Sequence, residues 1–593
     1  MCGIFAYTGH RTHAADIVVK GLKKLEYRGY DSWGVAYDLG KQPDLKLGLK
    51  RKVGKIGDFN NKKKYFPESS LAIGHSRWAT HGGVTVKNAH PHCDEAQKIA
   101  VVHNGIIENF EIMKKNLIQK GHRFKSETDT EVIAHLIEEY NKKMSFEAAA
   151  KKAMREINGR YAILAIKAGE HTIIAARRGS PLIIGIGKDE FFVASDIPAF
   201  LEYTRDVMYL DDNQMAVIKE KPHFYEIAGA GELKKRIVKI EARSENVEKG
   251  HFPHFMIKEI MEQKETIYRA INQTDVRVQK IADAIEKAYG TFLIGCGTAG
   301  KVCLAGSYIF AKVAKKHVNV IVGSEFPSHQ DFLKEKSLVI AVSQSGETAD
   351  TLEAIEVAKK KGCKVLSIVN VEGSTMDRAS HLTLHIKAGP EKAVASTKAT
   401  TAQLAILALL AYTCAGKLRE GKMLLIETAG KINDMLNPRY EEHIYKLAQK
   451  LKDCESMYVI GKAVNYAMAL EAAIKLQEVS YIHAEGFAGG ELKHGPIALI
   501  SKNTPCIALV ANDDTKTDIL NNAREVKARG GYIIGIAPDN NQIFDYWIRV
   551  PDVGIASPIV NIIPIQLLAY HLAVLRQNNP DMPRNLAKSV TVK

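Results

Sequence analysis

Two groups on one carbon make Cys2 the first candidate for chemistry in this chain. A small second residue permits removal of Met1, which would leave Cys2 with both a thiol and a free α-amine. The thiolate is the nucleophile in cysteine chemistry. An α-amine titrating near about pH 7.7–8.0 can take the thiol proton at neutral pH, as in N-terminal threonine nucleophiles. Far downstream, Glu471, Lys475 and Glu478 stand at i, i+4 and i+7, on one face of a predicted helix. Such a stripe is by default a solvated face, but here Ala472, Ala473, Ile474 and Leu476 surround it with apolar residues. His483, Glu485 and the segment Gly489-Gly490-Glu491-Leu492-Lys493-His494-Gly495-Pro496 follow. Carboxylate, ammonium and imidazole together can move protons beside a sugar carbonyl.

A third group is Ser343-Gln344-Ser345-Gly346-Glu347-Thr348, between an apolar strand at 337–342 and a helical pattern at 349–361. Backbone N–H groups, three hydroxyls and a helix N-terminus around one turn suit a phosphate better than a simple helix cap. In the first half, His103-Asn104-Gly105 follows a strand, and an Asn amide with the next N–H can form an oxyanion hole. Asp129 is either the N-cap of the following helix or a partner for a substrate amine, with Arg77 taking a carboxylate bidentately. The run Asn88-Ala89-His90-Pro91-His92-Cys93-Asp94 lacks the spaced ligand pairs of a zinc site, so no metal is expected there.

The elements that must position these groups differ between the two halves. With 593 residues the chain exceeds one core and suggests about two to four domains. Residues 2 to about 235 carry short β-like runs such as 72–74, 99–102 and 162–166, with helical patterns near 14–26, 109–120, 130–141 and 146–156. That reads as antiparallel sheet with packed helices. A charged stretch from Lys234 to Lys249 reads as a connector. Beyond about residue 250, strand–loop–helix alternation predicts parallel α/β sheet. This half repeats: Leu293-Ile294-Gly295 matches Val459-Ile460-Gly461, 166 residues apart, and the strands at 338 and 365 recur 168 residues later at 506 and 533. The second copy has Ala511-Asn512-Asp513-Asp514-Thr515 at the phosphate-loop position. Its carboxylates would repel phosphate, so one copy alone is expected to bind it.

Composition narrows the class. Hydrophobic residues at 46% and charged residues at 25% describe a globular protein. The apolar stretches 404–414 and 555–575 read as buried helices, the first too short for a membrane span of about 20 residues and the second interrupted by polar residues and prolines. The net charge of +15 is spread along the chain without interleaved aromatics, which argues against nucleic acid and for a small anionic substrate. Eight cysteines without a CxxC pair fit a reducing cytoplasm.

On several of these segments the chain resembles the glutamine–fructose-6-phosphate aminotransferase (glucosamine-6-phosphate synthase) family from end to end. They include Cys2-Gly3-Ile4, Arg28-Gly29-Tyr30-Asp31-Ser32, Arg77 to Gly82, Asn104-Gly105 and Thr128-Asp129-Thr130. The second half adds Cys296-Gly297-Thr298, 343–348, Val394 to Lys398, Glu491 to Pro496 and the tail from Pro583 to Val592. The resemblance implies a multidomain α/β fold. An N-terminal-nucleophile glutaminase domain (an αββα sandwich, 2–238) would lead through a linker at 239–250 to two tandem SIS-type domains with parallel sheets. These would span 251–430 and 431–593, the latter including the tail. It implies attack by Cys2 on glutamine, with Asn104 and Gly105 stabilising the oxyanion. Arg77, Thr80, His81 and Asp129 would hold glutamine, and Trp78 would stand at the gate of an ammonia channel. His494 would open the ring of D-fructose 6-phosphate, Lys588 would form a Schiff base, and Glu478, assisted by Lys475, would transfer a proton between C1 and C2. Thr298, Ser343, Gln344, Ser345, Thr348, Val394 and Ser396 would bind the sugar phosphate. The products would be L-glutamate and D-glucosamine 6-phosphate, feeding amino-sugar (UDP-N-acetylglucosamine) synthesis. No cofactor or metal is implied, the assembly is expected to be a cytoplasmic homodimer, and neither nucleic acid nor membrane is expected as a partner. Ala299 departs from the family, which commonly has a phosphate-binding serine there. Two other readings are compatible with parts of the pattern: a different glutamine amidotransferase, and a non-enzymatic sugar-phosphate sensor.

Overall fold

Apolar side chains on consecutive rather than alternate positions require a strand to be covered on both faces, and the first half is built from such strands. The computed structural model describes residues 2–40, 46–57, 65–79, 81–229, 231–240 and 248–591. Its chain divides into two units, Met1–Asn246 with Ala587–Lys593, and Val247–Leu586.

The first unit stacks two antiparallel sheets. One has eight strands, in the spatial order 238–239, 206–209, 183–186, 190–194, 3–9, 71–77, 32–38, 47–53. The other has seven, from 232–233 through 222–226, 214–218, 170–178, 159–167 and 99–107 to 92–93. Period-two alternation sorts the side chains. Ile4 and Ala6 of the first strand, with Ala100, Val102, Ala162, Leu164 and Ile166 of the other sheet, fill the layer between the sheets. Phe5 and Tyr7 point outward onto Val18 and Leu22 of helix Ala14–Lys24. Val101, Ile163 and Ala165 point the opposite way onto the helices Glu131–Asn141 and Phe146–Glu156. The result is an αββα sandwich. Gly21 lets the outer helix close down on the sheet, since a Cβ there would stand 2.2 Å from the Phe5 ring.

The second unit contains two five-stranded parallel sheets of one topology. The first runs 319–322, 290–295, 337–343, 364–369, 382–385 in space, and the second runs 483–488, 456–461, 505–509, 532–537, 546–549. Numbered within each copy, both orders are 2-1-3-4-5, which is the doubly wound arrangement, and the strand pairs are those spaced 166–168 residues apart in the sequence. Helices Lys398–Cys414 and Ser557–Leu575 are apolar around their circumference because both lie inside the protein. The span Gly554–Leu575 has the length and apolarity to cross a membrane, yet 89% of it is buried. One core contains Leu293 and Ile340 of the first sheet, Val459 and Ile507 of the second, and Leu407 and Ile563 of the central helices.

Helix Phe255–Met261 has no side-chain cap of its own at His254. Asp581 supplies one from 325 residues away, its two oxygens accepting the N–H groups of Met256 at 2.8 Å and Phe255 at 3.0 Å. Asp581→Ala should lower the stability of the second unit by about 2–3 kcal/mol, read as a fall in its urea midpoint, and Asp581→Asn by about half as much.

Candidate active sites

In the first unit, strand pairing places Cys2. Gly3 lies opposite Ser76 in the antiparallel ladder, which brings Cys2 to Trp78, just past the end of strand Leu71–Arg77. The Trp78 N–H donates to Cys2 Sγ at 3.2 Å, and the thiol lies 3.4 Å from the Trp78 carbonyl. Burial pushes the thiol pKa up, while the Trp78 N–H and the Arg77 guanidinium pull it back. A thiol so placed needs a base before it can attack.

Asn104 lies in strand Ile99–Ile107 of the facing sheet, and its amide orientation is fixed. His75 Nε2 faces two acceptors, the His103 carbonyl at 3.0 Å and Asn104 Oδ1 at 3.1 Å, so it carries the proton. Burial lowers the pKa of His75 to about 3 and keeps the ring neutral. Asn104 Nδ2 is thereby turned to the Cys2 carbonyl, 3.0 Å away. Gly105 has φ +131°, and a Cβ there would fall 2.0 Å from the Arg160 carbonyl oxygen, so only glycine fits. Cys2, Arg77, Trp78, His81, Asn104, Gly105, Asp129 and Thr591 line one pocket.

Three pocket residues have local duties. The Arg77 guanidinium donates to the carbonyls of His81, Gly82 and Gly83, and so clamps the turn after its own strand. Asp129 is not the N-cap of the following helix; that position is Thr130, and Asp129 Oδ2 accepts the Ile107 N–H at 2.8 Å. His81 packs edge-on against Phe110 at 5.8 Å, with Nδ1 buried and without a hydrogen-bond partner among the described residues. Thr80 lies outside the described residues. Two further residues, to which the sequence assigns no role, position the site. One is His75, which orients Asn104. The other is Asp31, whose Oδ2 accepts the Ala79 N–H at 2.8 Å and pins the loop beside Trp78.

In the second unit, ligand chemistry belongs outside the carboxyl ends of the strands, where the order reverses between Gly290–Gly295 and Ser337–Ser343. Thr298 and the 343–348 loop follow those two strands. Gly346, at φ +66°, turns the loop: Ser343 Oγ accepts the Gly346 N–H at 3.0 Å and lies 3.4 Å from Thr348 Oγ1. Ser345 Oγ accepts the Glu347 N–H at 3.2 Å, and the Gln344 carbonyl accepts from Asn370. Thr348 is the N-cap of helix Ala349–Lys360 without using its hydroxyl to cap it. In the second copy, Asp513 Oδ1 accepts the N–H and hydroxyl of Thr515 and fills the corresponding loop itself.

Thr298 Oγ1 donates to Glu471 Oε1 at 3.0 Å, which ties the first repeat to helix Val464–Ser480 of the second. Glu471 and Lys475 are fully buried; Lys475 Nζ is bonded to Glu478 and lies 3.5 Å from Glu471. Burial raises the pKa of Glu471 to about 7, the Glu478 charge adding to the effect and Lys475 opposing it. Burial alone would lower the pKa of Lys475, but the charges of Glu478 and Glu471 outweigh it and hold the ammonium protonated. Val394 donates its N–H to the Asp581 carbonyl at 3.0 Å, and Ser396 bonds to Glu391 at 3.3 Å. His483 pairs with Glu485 at the exposed strand edge. His494 is exposed in the turn Glu491–His494, and among the described residues no hydrogen bond or ion pair joins it to Glu471, Lys475 or Glu478. Lys588 belongs to the segment that groups with the first unit. Lys475→Met would strand two carboxylates around an apolar side chain, and should cost the second unit about 3–5 kcal/mol in urea denaturation, partly recovered by adding Glu471→Gln.

Comparison with known proteins agrees with this division. A glutamine amidotransferase domain matches residues 75–202, and SIS domains match 284–412 and 450–576. The glutamine–fructose-6-phosphate aminotransferase (isomerizing) of Thermococcus kodakarensis is 44% identical over 610 residues, with all of both chains covered. That of Methanosarcina mazei is 41% identical over 630 residues, again with full coverage of both. The solved C-terminal domain of glucosamine–fructose-6-phosphate aminotransferase from Francisella tularensis covers 56% of this chain and 100% of its own, at 33% identity and a TM-score of 0.53. Full-length likeness at this identity, on a chain that carries a cysteine–asparagine pocket and a repeated parallel-sheet unit, identifies it as a member of the glutamine–fructose-6-phosphate aminotransferase (isomerizing) family.

Proposed function

We propose that the chain converts D-fructose 6-phosphate and L-glutamine to D-glucosamine 6-phosphate and L-glutamate, a step toward amino-sugar and UDP-N-acetylglucosamine synthesis. The observation that carries this reading is the convergence of Cys2, Asn104, Gly105, Arg77 and Asp129 on one pocket, in a chain whose other unit holds a hydroxyl-rich anion loop. Once Met1 is removed, the Cys2 α-amine takes the thiol proton and the thiolate adds to the glutamine side-chain carbonyl. The oxyanion is met by Asn104 Nδ2 and the Gly105 N–H. Collapse breaks the C–N bond, the amine returns its proton to the leaving ammonia, and water hydrolyses the thioester to glutamate. Arg77, Thr80, His81 and Asp129 hold glutamine, and Trp78, whose backbone grips the thiol, gates the passage of ammonia.

At the second site the phosphate rests on Ser343, Gln344, Ser345 and Thr348 with Thr298, Val394 and Ser396 nearby in the sugar subsite. His494 opens the ring, and Lys588 forms a Schiff base at C2 that ammonia displaces. Glu478 then takes a proton from C1 and delivers it to C2, with Lys475 holding the carboxylate in place. The exposed position of His494 supports its acting across the subunit interface of a homodimer. Boundaries at 2–238, 239–250, 251–430 and 431–593 follow from the same reading, as does a cytoplasmic location, which eight free cysteines support.

Cys2→Ala should reduce glutamine-dependent formation of glucosamine 6-phosphate by more than about a thousandfold while isomerisation of fructose 6-phosphate continues. Undiminished product formation from glutamine by this variant would refute the assignment. Mass spectrometry of the active enzyme should find Cys2 as the first residue.

A further inference from the structure

Away from both sites, three side chains of the first unit converge so that one atom of each faces the other two. His135 and Glu138 stand at i and i+3 on helix Glu131–Asn141, and the turn after helix Phe110–Gln119 brings His122 over the same face. Their facing atoms form a nearly equilateral triangle. His122 Nδ1 lies 3.3 Å from His135 Nδ1 and 3.2 Å from Glu138 Oε2, and His135 Nδ1 lies 3.3 Å from Glu138 Oε2. A proton on either Nδ1 lies along one edge only, and all three edges are at or beyond the long end of an N–H···O bond. A tetrahedral cation bonded at about 2.0–2.1 Å instead spaces its ligands about 3.3–3.4 Å apart.

The outer ring nitrogens make a second, independent observation. His122 Nε2 lies 3.2 Å from Glu139 Oε2. His135 Nε2 lies 3.7 Å from Glu131 Oε1, buried and with no hydrogen-bond partner among the described residues. Metal-ligating imidazoles characteristically present the second nitrogen to a carboxylate, which fixes the Nε2–H tautomer and turns the Nδ1 lone pair to the metal. Both His side chains are nearly inaccessible, at 4% and 1% exposure, whereas Glu138 and Glu139 at 22% leave a way in and a fourth position for water.

We propose that His122, His135 and Glu138 bind one divalent cation of the zinc type, a structural site that the sequence reading did not anticipate. Two imidazoles and one carboxylate suit a borderline cation such as Zn²⁺ or Co²⁺ and are a poor set for Mg²⁺ or Ca²⁺, which take oxygen ligands. The three ligands bring one negative charge, which leaves a divalent cation one charge short of neutrality; the carboxylates of Glu139 and Glu131 behind the rings supply two more. Glu131 also accepts the N–H groups of Lys125 at 2.8 Å and Ser126 at 2.7 Å, and the Ser126 hydroxyl at 2.6 Å. The cation therefore braces the segment that leads into Asp129 in the glutamine pocket.

The test uses the full chain, purified without a polyhistidine tag, stripped with chelator and titrated with Co²⁺. The expected result is one Co²⁺ per chain with the visible bands of a tetrahedral nitrogen–oxygen site, no thiolate charge-transfer band, and bleaching by one equivalent of Zn²⁺. His122→Asn and Glu138→Gln should each weaken Co²⁺ binding by at least about a hundredfold, and Glu139→Gln, at a part-exposed position, by about tenfold. Zn²⁺ should raise the melting temperature of the wild type and, by less, that of Glu139→Gln, and leave those of His122→Asn and Glu138→Gln unchanged. A wild-type chain with no saturable visible spectrum, a spectrum dominated by thiolate, or unchanged affinity across the variants would each overturn the proposal. The wild-type spectrum and Glu139→Gln decide the matter even where a ligand variant fails to fold.

Discussion

Antiparallel pairing of Gly3–Gly9 with Leu71–Arg77 fixes where the Cys2 thiol goes, and the first unit is organised around that register. Cys2 leads directly into strand Gly3–Gly9, so the position of its thiol depends on how firmly that strand is held. The strand occupies the interior of the eight-stranded sheet with neighbours on both edges, Leu71–Arg77 on one side and Glu190–Ala194 on the other. Its two faces are buried in different cores, Ile4 and Ala6 in one and Phe5 and Tyr7 in the other. A slip of one residue would exchange those sets and carry the thiol away from Trp78. The opposite wall of the pocket comes from the other sheet, where His75, itself on strand Leu71–Arg77, sets the orientation of Asn104. One strand thus aligns both halves of the pocket.

The second unit solves a different problem, how to keep ionised groups inside an apolar helix bundle. Lys475 is tolerated without exposure because Glu478 and Glu471 both face it, and Glu471 because burial raises its pKa to about 7 while Thr298 donates to its Oε1. The carboxylate of Glu478 ends this chain of charges at a partly exposed position. Duplication of the α/β unit makes the arrangement possible, since the first repeat supplies Thr298 and the second supplies the charged helix. The copies have diverged at the 343–348 loop and its counterpart: Ser343 and Thr348 pair their hydroxyls in one, while Asp513 bonds to Thr515 in the other.

Much of this was legible in the sequence because periodicity and spacing report backbone position directly. The 166- and 168-residue intervals mark strands that occupy equivalent places in the two parallel sheets. The i, i+4, i+7 spacing of Glu471, Lys475 and Glu478 does correspond to one helical face. Contacts that depend on side-chain direction across long separations were not legible. Thr298 is 173 residues from Glu471, and a lone threonine at a helix start announces nothing. The role of Asp129 was open between a helix cap and a substrate contact, and the structure shows a third use, a bond to the Ile107 backbone. His122, His135 and Glu138 escaped notice because their spacing matches no familiar ligand motif; only the turn after Gln119 brings the first histidine over the other two.

The central claim is that nitrogen liberated at Cys2 becomes the amine of the sugar. The most direct measurement follows turnover of glutamine labelled with ¹⁵N in its side-chain amide, with fructose 6-phosphate and an excess of unlabelled ammonium in the solution. The account predicts glucosamine 6-phosphate carrying nearly all of its nitrogen as ¹⁵N, with one labelled product formed for each glutamate released. Product with the isotopic composition of the bulk ammonium, or glutamate released without labelled aminosugar, would contradict it.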